Sequence, residues 1–570
     1  MARHKYHPNI PAEVEIPRKS MGEVFFEAVK KSGDLPFLFF QGKGKSYNEA
    51  AKEVRKLANA FVDLGIKKGD RIAILTPNCP QFVISYLSTI YLGAIVTAVS
   101  PLSSPKEVKF QLKDSGSKIL VTLDMYLDLV REIRGETELE HVIISSVADE
   151  LSTIKGFLYK NVIARKNPKV GKNELKYKDV LMNGKDKEIK TDIDPENDLL
   201  CLQYTGGTTG TPKGAMLTHY NIVSQAMILN YWLEWIGGKL PIQETMIGAL
   251  PFSHIFGLTT SFFWPMSIGG MIDLIPDPRK LEAIMKDVQK YKIQFFMGVP
   301  TLFQKLAEQS YITKYDWSSL RMCISGGSAL HPEVMRNFEE KTGTILVEGY
   351  GLSEASPVTH VNPADAGIRQ DGIGMPIPNT ETKMIDINSG EDIPEEFDED
   401  GITAEGELLI RGPQVMKGYW NNPEETANVL LDDGWLRTGD VVKMNKDGFF
   451  KIVDRLKDCI FTSGYQVWPL EVETVLINHP DVSLAAVIPI KETHTHNEII
   501  KAVLVAAQDA PRHDKGALKA YCKQHLAPYK VPKLFEYREE LPLSPVGKVL
   551  RRPLREEAAI ELVQSEISDS

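Results

Sequence analysis

The chain has 570 residues, more than one hydrophobic core accommodates, and that length suggests about three to four folding units. Its apolar (43%) and charged (25%) fractions are those of an ordinary globular protein, and a net charge of −10 argues against general nucleic-acid binding. The five cysteines (Cys79, Cys201, Cys323, Cys459 and Cys522) are scattered without metal-ligand or redox spacing, which points to a reducing, intracellular setting without structural zinc, and Met1 to Pro8 lack the apolar stretch of a secretory signal.

In chain order, a helical pattern at 48–64 precedes apolar runs at 71–75 and 94–99, a helical pattern at 106–115, and further runs at 118–122 and 141–145. Apolar runs alternating with helices imply parallel sheets covered by helices. No charged residue falls between Ile72 and Pro105, a length that would span a bilayer. Pro77, Pro80, Pro101, Asn78 and Gln81 interrupt that stretch, so a buried strand, helix and strand fit it better. Residues 155–190 hold eleven basic and four acidic side chains. The mixture of apolar and basic residues at 153–166 reads as a membrane-surface segment or, equally, as a solvated helix or loop. Strand-like runs resume at 199–203, 215–218, 245–250, 271–275, 295–299 and 322–325. Residues 389–407 are acidic and turn-rich, as in a solvated β-hairpin region. After a strand-like 449–453, the pentad Asp454-Arg455-Leu456-Lys457-Asp458 packs four charges into five residues. The segment beyond it, with strands at 484–488 and 501–506 and helices at 471–478 and 515–525, is the size of a small independent domain, so a domain boundary is placed at the pentad.

Residues 204–215 read Tyr-Thr-Gly-Gly-Thr-Thr-Gly-Thr-Pro-Lys-Gly-Ala. Glycines let backbone amides approach an anion, threonine hydroxyls add donors, and Lys213 adds a point charge, which is the chemistry of a loop that wraps polyphosphate. The spacing is not that of a Walker A loop, because Thr211 and Pro212 stand where its second glycine would fall. Downstream, His254 follows one strand and Gly326-Gly327-Ser328-Ala329 another, where ligands of parallel sheets bind. In Glu348-Gly349-Tyr350-Gly351-Leu352-Ser353-Glu354 an aromatic able to stack on a base meets a carboxylate able to hold Mg²⁺. Asp440 has the chemistry to bind ribose hydroxyls. Lys548 lies on a Gly/Pro-bounded loop, where a solvated lysine is the simplest account of it alone. A tight turn or a core histidine likewise explains each of the others singly.

Taken together and in order, Thr205–Gly214, Tyr350–Glu354, Thr438–Asp440, Asp454–Asp458 and Pro545–Lys548 resemble the adenylate-forming acyl-CoA synthetase family of acyl-CoA ligases, luciferases and related adenylation domains, over residues 20 to 555. Tyr204–Gly210, Gly412–Trp420, Asp433–Asp440 and Gly547–Arg552 look most like its long- and medium-chain fatty acid–CoA ligases. The resemblance implies an α/β fold: a large N-terminal domain (1–456) of stacked α/β sheets plus a β-barrel-like subdomain, and a small mobile α+β domain (457–570). It implies ATP, Mg²⁺ and coenzyme A acting on a fatty acid, through acyl-AMP to acyl-CoA.

By the same resemblance, Lys548, Glu354 and His254 are catalytic, and Glu354 and Thr205 meet the metal. ATP and AMP would contact Thr205, Gly206, Gly207, Thr208, Thr209, Gly210 and Lys213; Gly327, Ser328 and Ala329; Glu348, Gly349, Tyr350 and Ser353; and Asp440, Ile452 and Arg455. Lys457 matches the hinge, and Ser463, Gly464 and Tyr465 would meet CoA. His254, Phe256, Val299, Phe303 and Gly327 would line the acyl chain, with Phe303 where some long-chain enzymes carry a gating tryptophan. Gly206 replaces the serine of many relatives, and Phe461 stands where several carry a lysine, which puts a nucleotide or CoA contact from that position in doubt. The expected setting is cytoplasmic, with peripheral membrane contact if 153–190 binds lipid. No nucleic-acid partner is expected, and oligomeric state, a dimer included, is left open. Rival readings are a fatty acyl-AMP ligase that loads a carrier protein, an aryl-acid–CoA ligase, and a non-catalytic lipid or nucleotide sensor.

Overall fold

The computed structural model describes residues 10–151, 170–205, 212–237, 243–364, 372–462, 465–491, 498–507, 510, 515–544 and 547–569, with 233–237, 515 and 561–569 described by backbone alone. Their contacts divide into two compact units, one running to Glu381 and including Arg411–Leu436, the other made of Thr382–Ile410 and Arg437 onward.

The larger unit contains two sheets. One has seven strands in the order Glu174–Lys176, His141–Ser145, Ile119–Leu123, Arg71–Leu75, Ile95–Ala98, Leu199–Thr205, Lys213–Thr218, all parallel except the last pair. The other has nine, centred on parallel Met271–Leu274, Thr245–Gly248, Phe295–Gly298, Met322–Ser325 and Leu346–Gly351. The predicted apolar runs are strands of these sheets. Two predicted helices begin at capping boxes: Ser46 with Glu49 opens Tyr47–Asp63, and Ser104 with Glu107 opens Pro105–Ser115. The charge-free stretch is a strand, a helix and a strand, as expected. Its helix, Pro80–Tyr91, is buried almost all round, and Ser88 and Thr89 return their hydroxyls to the carbonyls of Ile84 and Ser85 at 2.6 and 2.7 Å. No helix among the described residues is long and apolar enough to cross a membrane.

The smaller unit includes a four-stranded open sheet in the order Glu381–Ile385, Gly406–Arg411, Leu436–Met444, Phe450–Arg455, where a barrel-like part of the larger domain was expected. The acidic 389–407 stretch is mostly the exposed connection between the first two of these strands. A three-stranded sheet follows, Val482–Lys491, Glu498–Ala506 and Leu534–Arg538. Strand alternation divides its side chains between two cores. Ala485, Val487, Ala502 and Leu504 pack with Leu518 and Cys522 of helix Lys515–His525. Ala486, Ile488 and Val503 pack with Leu554 and Ala558 of helix Arg551–Asp569. All five cysteines are buried free thiols.

Candidate active site

In the larger unit, the candidate residues collect where neighbouring parallel strands end. Thr245–Gly248 leads to His254, Phe295–Gly298 to Val299 and Phe303, Met322–Ser325 to Gly327–Ala329, and Leu346–Gly351 to Ser353 and Glu354. The register sets Gly298 beside Ser325 and Ser325 beside Glu348, so these endings are level. In an open α/β sheet this carboxyl edge is where ligands bind. Buried Asn78 braces it, donating to the carbonyls of Gly248 and Leu250 at 2.9 and 2.7 Å and accepting from the Phe252 amide at 2.8 Å.

The acyl-wall candidates gather on this edge. The His254 Nδ1 accepts from the Phe256 amide at 3.3 Å, which orients the imidazole at the start of the turn. Gly257 must be glycine, because a Cβ there would stand 2.6 Å from the Pro251 carbonyl oxygen. The Phe256 ring lies against Gly326, 3.0 Å from where a Cβ would be, and Val299 faces Gly327. Phe303 is fully buried, its ring centroid 5.2 Å from that of Phe296 and 5.1 Å from that of Phe338. Glu348 accepts from the Leu330 amide at 3.2 Å and so ties the Gly327–Ala329 turn to the next strand. Gly349 and Tyr350 pair with Val361 and His360, and the Tyr350 ring lies 5.8 Å from the His360 ring. His360 itself is fully buried, and burial pushes its pKa down to about 3, so it is a core residue.

Thr205 and Lys213 face each other across the antiparallel pair Leu199–Thr205 and Lys213–Thr218. Tyr204 anchors the base of this pair by donating to Asp114 Oδ2 at 2.6 Å. The Lys213 ammonium is ion-paired with Glu425 and stands 5.4 Å from the Tyr419 ring centroid. The Tyr419 hydroxyl donates to Glu354 Oε1 at 2.6 Å. Burial first, then the Glu354 and Glu425 carboxylates, push the Tyr419 pKa well up, so it remains a donor. The Glu354 backbone carbonyl accepts from the Met416 amide at 2.8 Å. Among the described residues, no donor is recorded on the Glu354 Oε2, which suits a carboxylate that shares a cation with phosphate oxygens, and no group of three metal-ligating side chains occurs.

In the smaller unit, Asp440 and Arg455 are register partners on adjacent strands, and the Arg455 Nε lies 3.1 Å from Asp440 Oδ1. Ile452 is on the same strand as Arg455 and pairs with Val442. Lys548 closes a tight turn: its amide donates to Ser544 Oγ at 3.0 Å, and the Ser544 amide donates back to its carbonyl at 2.7 Å. The positive charge of Arg455 and then burial lower the Lys548 pKa to about 7, with Asp440 opposing. Partial desolvation and then the positive charge of Arg455 lower that of Lys457 to about 8. Lys457 itself is exposed, beside a cluster of buried charges formed by Asp454, Asp458 and Glu473. Arg551 holds the cluster together, forking onto Glu473 at 2.8 and 2.6 Å and reaching Asp458 at 2.9 Å. Tyr465 is exposed and stacks on Tyr529 at 4.3 Å, and Phe461 is exposed as well.

Gly206, Gly207, Thr208, Thr209 and Gly210, with Ser463 and Gly464, lie outside the described residues, as do 153–169 of the basic stretch. Tyr419, Glu425 and Arg551 escaped the sequence reading as individual residues, although Tyr419 and Arg551 fall inside quoted motifs. Pro423 marks the start of the short helix whose first turn carries Glu425, but nothing local marks Lys213 as its partner.

Sequence comparison places this arrangement in a family. Residues 25–420 match the model of the AMP-binding enzyme, and 471–548 match that of the AMP-binding enzyme C-terminal domain. The chain belongs to the AMP-binding enzyme family. A long-chain-fatty-acid–CoA ligase of Bacillus subtilis (strain 168) is 38% identical over 561 residues, covering 97% of both chains. A 4-coumarate–CoA ligase of Nicotiana tabacum is 31% identical over 549 residues and 94% of both. Among solved structures, ATP-bound MatB from Rhodopseudomonas palustris matches with a TM-score of 0.81 at 26% identity, covering 95% of this chain and 99% of that one.

Proposed function

We propose that the chain is an ATP-dependent fatty acid–CoA ligase for medium- to long-chain acids. The observation that carries this reading is Lys548, a lysine held beside Arg455 and Asp440 with its pKa lowered to about 7. A lipid or nucleotide sensor needs no such group. Similarity at 36–38% identity to several long-chain-fatty-acid–CoA ligases over 95–97% of this chain supports the fatty-acid branch.

The reaction has two steps. The carboxylate attacks the α-phosphorus of ATP, giving acyl-AMP and pyrophosphate; the CoA thiol then attacks the acyl carbonyl and expels AMP. Lys213, with Thr205 and the residues 206–210, offsets the charge of the leaving pyrophosphate. Mg²⁺, for which Glu354 has an accepting oxygen, supplies charge neutralisation on the phosphates. Gly327–Ala329, Glu348–Tyr350 and Ser353 take the adenine, and Asp440, Ile452 and Arg455 take the nucleoside. Lys548 Nζ bridges the carboxylate and the α-phosphate in the first step, and the approach of these anions raises its proton affinity back toward the ammonium form. His254, Phe256, Val299, Phe303 and Gly327 bound the acyl chain. A domain boundary at 456/457 with a hinge at Lys457 lets the C-terminal domain withdraw Lys548 and bring Ser463, Gly464 and Tyr465 to CoA.

Lys548→Ala tests the assignment: it abolishes acyl-AMP formation and leaves the reaction of preformed acyl-AMP with CoA intact. Equal loss in both steps would refute it. Thioester formation assayed with acids from acetate to oleate, and with coumarate and benzoate, separates the fatty-acid reading from the aryl one; activity with a carrier protein but not with free CoA would favour the acyl-AMP ligase. The expected setting is cytoplasmic with peripheral membrane contact through 153–190, a reading supported by the exposed Lys172, Lys176, Lys178, Lys185, Lys187 and Lys190. Sedimentation with anionic liposomes that is unchanged on neutralising Lys155, Lys160, Arg165 and Lys166 would refute that contact.

A further inference from the structure

Lys213 is the lysine assigned above to the leaving phosphates, and its ammonium already has a carboxylate partner, Glu425. The pair is built from distant parts of the chain, 212 residues apart. It is partly shielded, with side-chain exposures of 16% for Lys213 and 33% for Glu425. Two contacts fix its surroundings. The Glu425 amide donates to Asn422 Oδ1 at 3.2 Å, which sets the backbone from which the carboxylate reaches out. The Tyr419 ring stands 5.4 Å from the ammonium, close enough to hold a cation while its anionic partner changes. Beside the pair is a cleft of about 200 Å³, bordered by Asp114, Trp420, Asn421 and Asn422. Its Asn421 and Asn422 side offers polar groups toward which a displaced carboxylate can turn, away from the like charge of Asp114.

We propose that Glu425 is a resident counter-ion for Lys213, displaced by the terminal phosphates of ATP and returning to the lysine as pyrophosphate leaves. This rests on the reading of Lys213 as the phosphate lysine. A polyphosphate carries more charge than one carboxylate and takes the ammonium on binding. The same exchange run backwards weakens the hold on pyrophosphate, because Glu425 competes for Lys213 at the moment of release. A lysine without such a competitor would bind both ATP and pyrophosphate more tightly, so Glu425 trades affinity for turnover. Glu425 is a positioning residue, acting on the phosphates only through Lys213.

The experiment compares the full-length wild type with Glu425→Gln, which keeps the shape and removes the charge, and with Glu425→Asp, which keeps the charge. The KM for MgATP and the inhibition constant of inorganic pyrophosphate are read in acyl-CoA formation, and pyrophosphate binding is titrated directly by calorimetry. An exposed or half-exposed ion pair contributes up to about 1 kcal/mol, so both constants should fall about three- to five-fold in Glu425→Gln. Glu425→Asp should return them toward wild type, and the reaction of preformed acyl-AMP with CoA should not change. Constants that stay level or rise in Glu425→Gln would overturn the proposal. A wild type that binds pyrophosphate yet forms no thioester would overturn the ligase reading instead, and calorimetry would still decide the role of Glu425.

Discussion

Replacing Tyr419 by Phe removes one oxygen and keeps the ring beside Lys213. The lost contact is the 2.6 Å hydrogen bond to Glu354 Oε1, made by a hydroxyl on a residue only 8% exposed. A hydrogen bond to a charged group contributes about 2 kcal/mol, which at about 1.4 kcal/mol per factor of ten corresponds to about 30-fold. Loss of an outer partner of a metal-binding carboxylate typically costs about 10- to 100-fold, the same range. Tyr419→Phe should therefore lower kcat/KM for MgATP about 30-fold in fatty-acid-dependent ATP–pyrophosphate exchange. Raising free Mg²⁺ should recover part of the rate, which a mere loss of packing would not allow. The rate of preformed acyl-AMP with CoA should stay at the wild-type level. Equal loss in both half-reactions, or unchanged exchange at every Mg²⁺ concentration, would refute the idea that Tyr419 orients Glu354.

Lys548 has its pKa lowered to about 7 from an ordinary 10.5, so between those values the unfolded chain binds the extra proton. Its penalty on folding is complete below pH 7 and fades as pH rises; Lys548→Met should raise the melting temperature at pH 6.5 and leave it nearly level at pH 10.5. The same value predicts that kcat/KM for ATP falls as pH rises through 7 in the free enzyme, and that the slower Lys548→Arg variant shows no such fall. Arg551→Ala would strip buried carboxylates of their partner and should cost about 3–5 kcal/mol, seen as early loss of the C-terminal domain in chemical denaturation. Phe303→Ala should cost about 3–5 kcal/mol for the ring lost between Phe296 and Phe338, and a stable variant with altered chain-length preference would show that the ring also meets the acyl chain.

The parallel sheets were legible because each central strand is buried on both faces and reads as a short apolar run, as in Arg71–Leu75 and Met322–Ser325. The residues at their carboxyl ends were legible for the same reason: glycine, histidine or a carboxylate directly after such a run breaks the pattern. Partners made by tertiary folding left no such mark. Nothing within reach of Lys213 in sequence points to Glu425, and nothing near Arg551 points to Glu473, 78 residues earlier. Phe303 could be placed by resemblance, but the aromatic packing that surrounds it depends on Phe338, from another helix. Within the charged pentad, the burial of Asp458 was equally illegible, because its partners Arg551 and Arg555 come from a later helix.

The buried cysteines have a chemical consequence. Burial pushes the Cys79, Cys459 and Cys522 thiols up to about 11 and Cys201 to about 12, and raises Cys323 as well. A thiol with a pKa near 11 is ionised to only about one part in ten thousand at neutral pH, and the thiolate is the nucleophile. An enzyme that generates an acyl-adenylate exposes its own side chains to a strong acyl donor. Here the residues best suited to intercept it are withdrawn from solvent and kept protonated, so the activated acyl group is preserved for the thiol that arrives from outside.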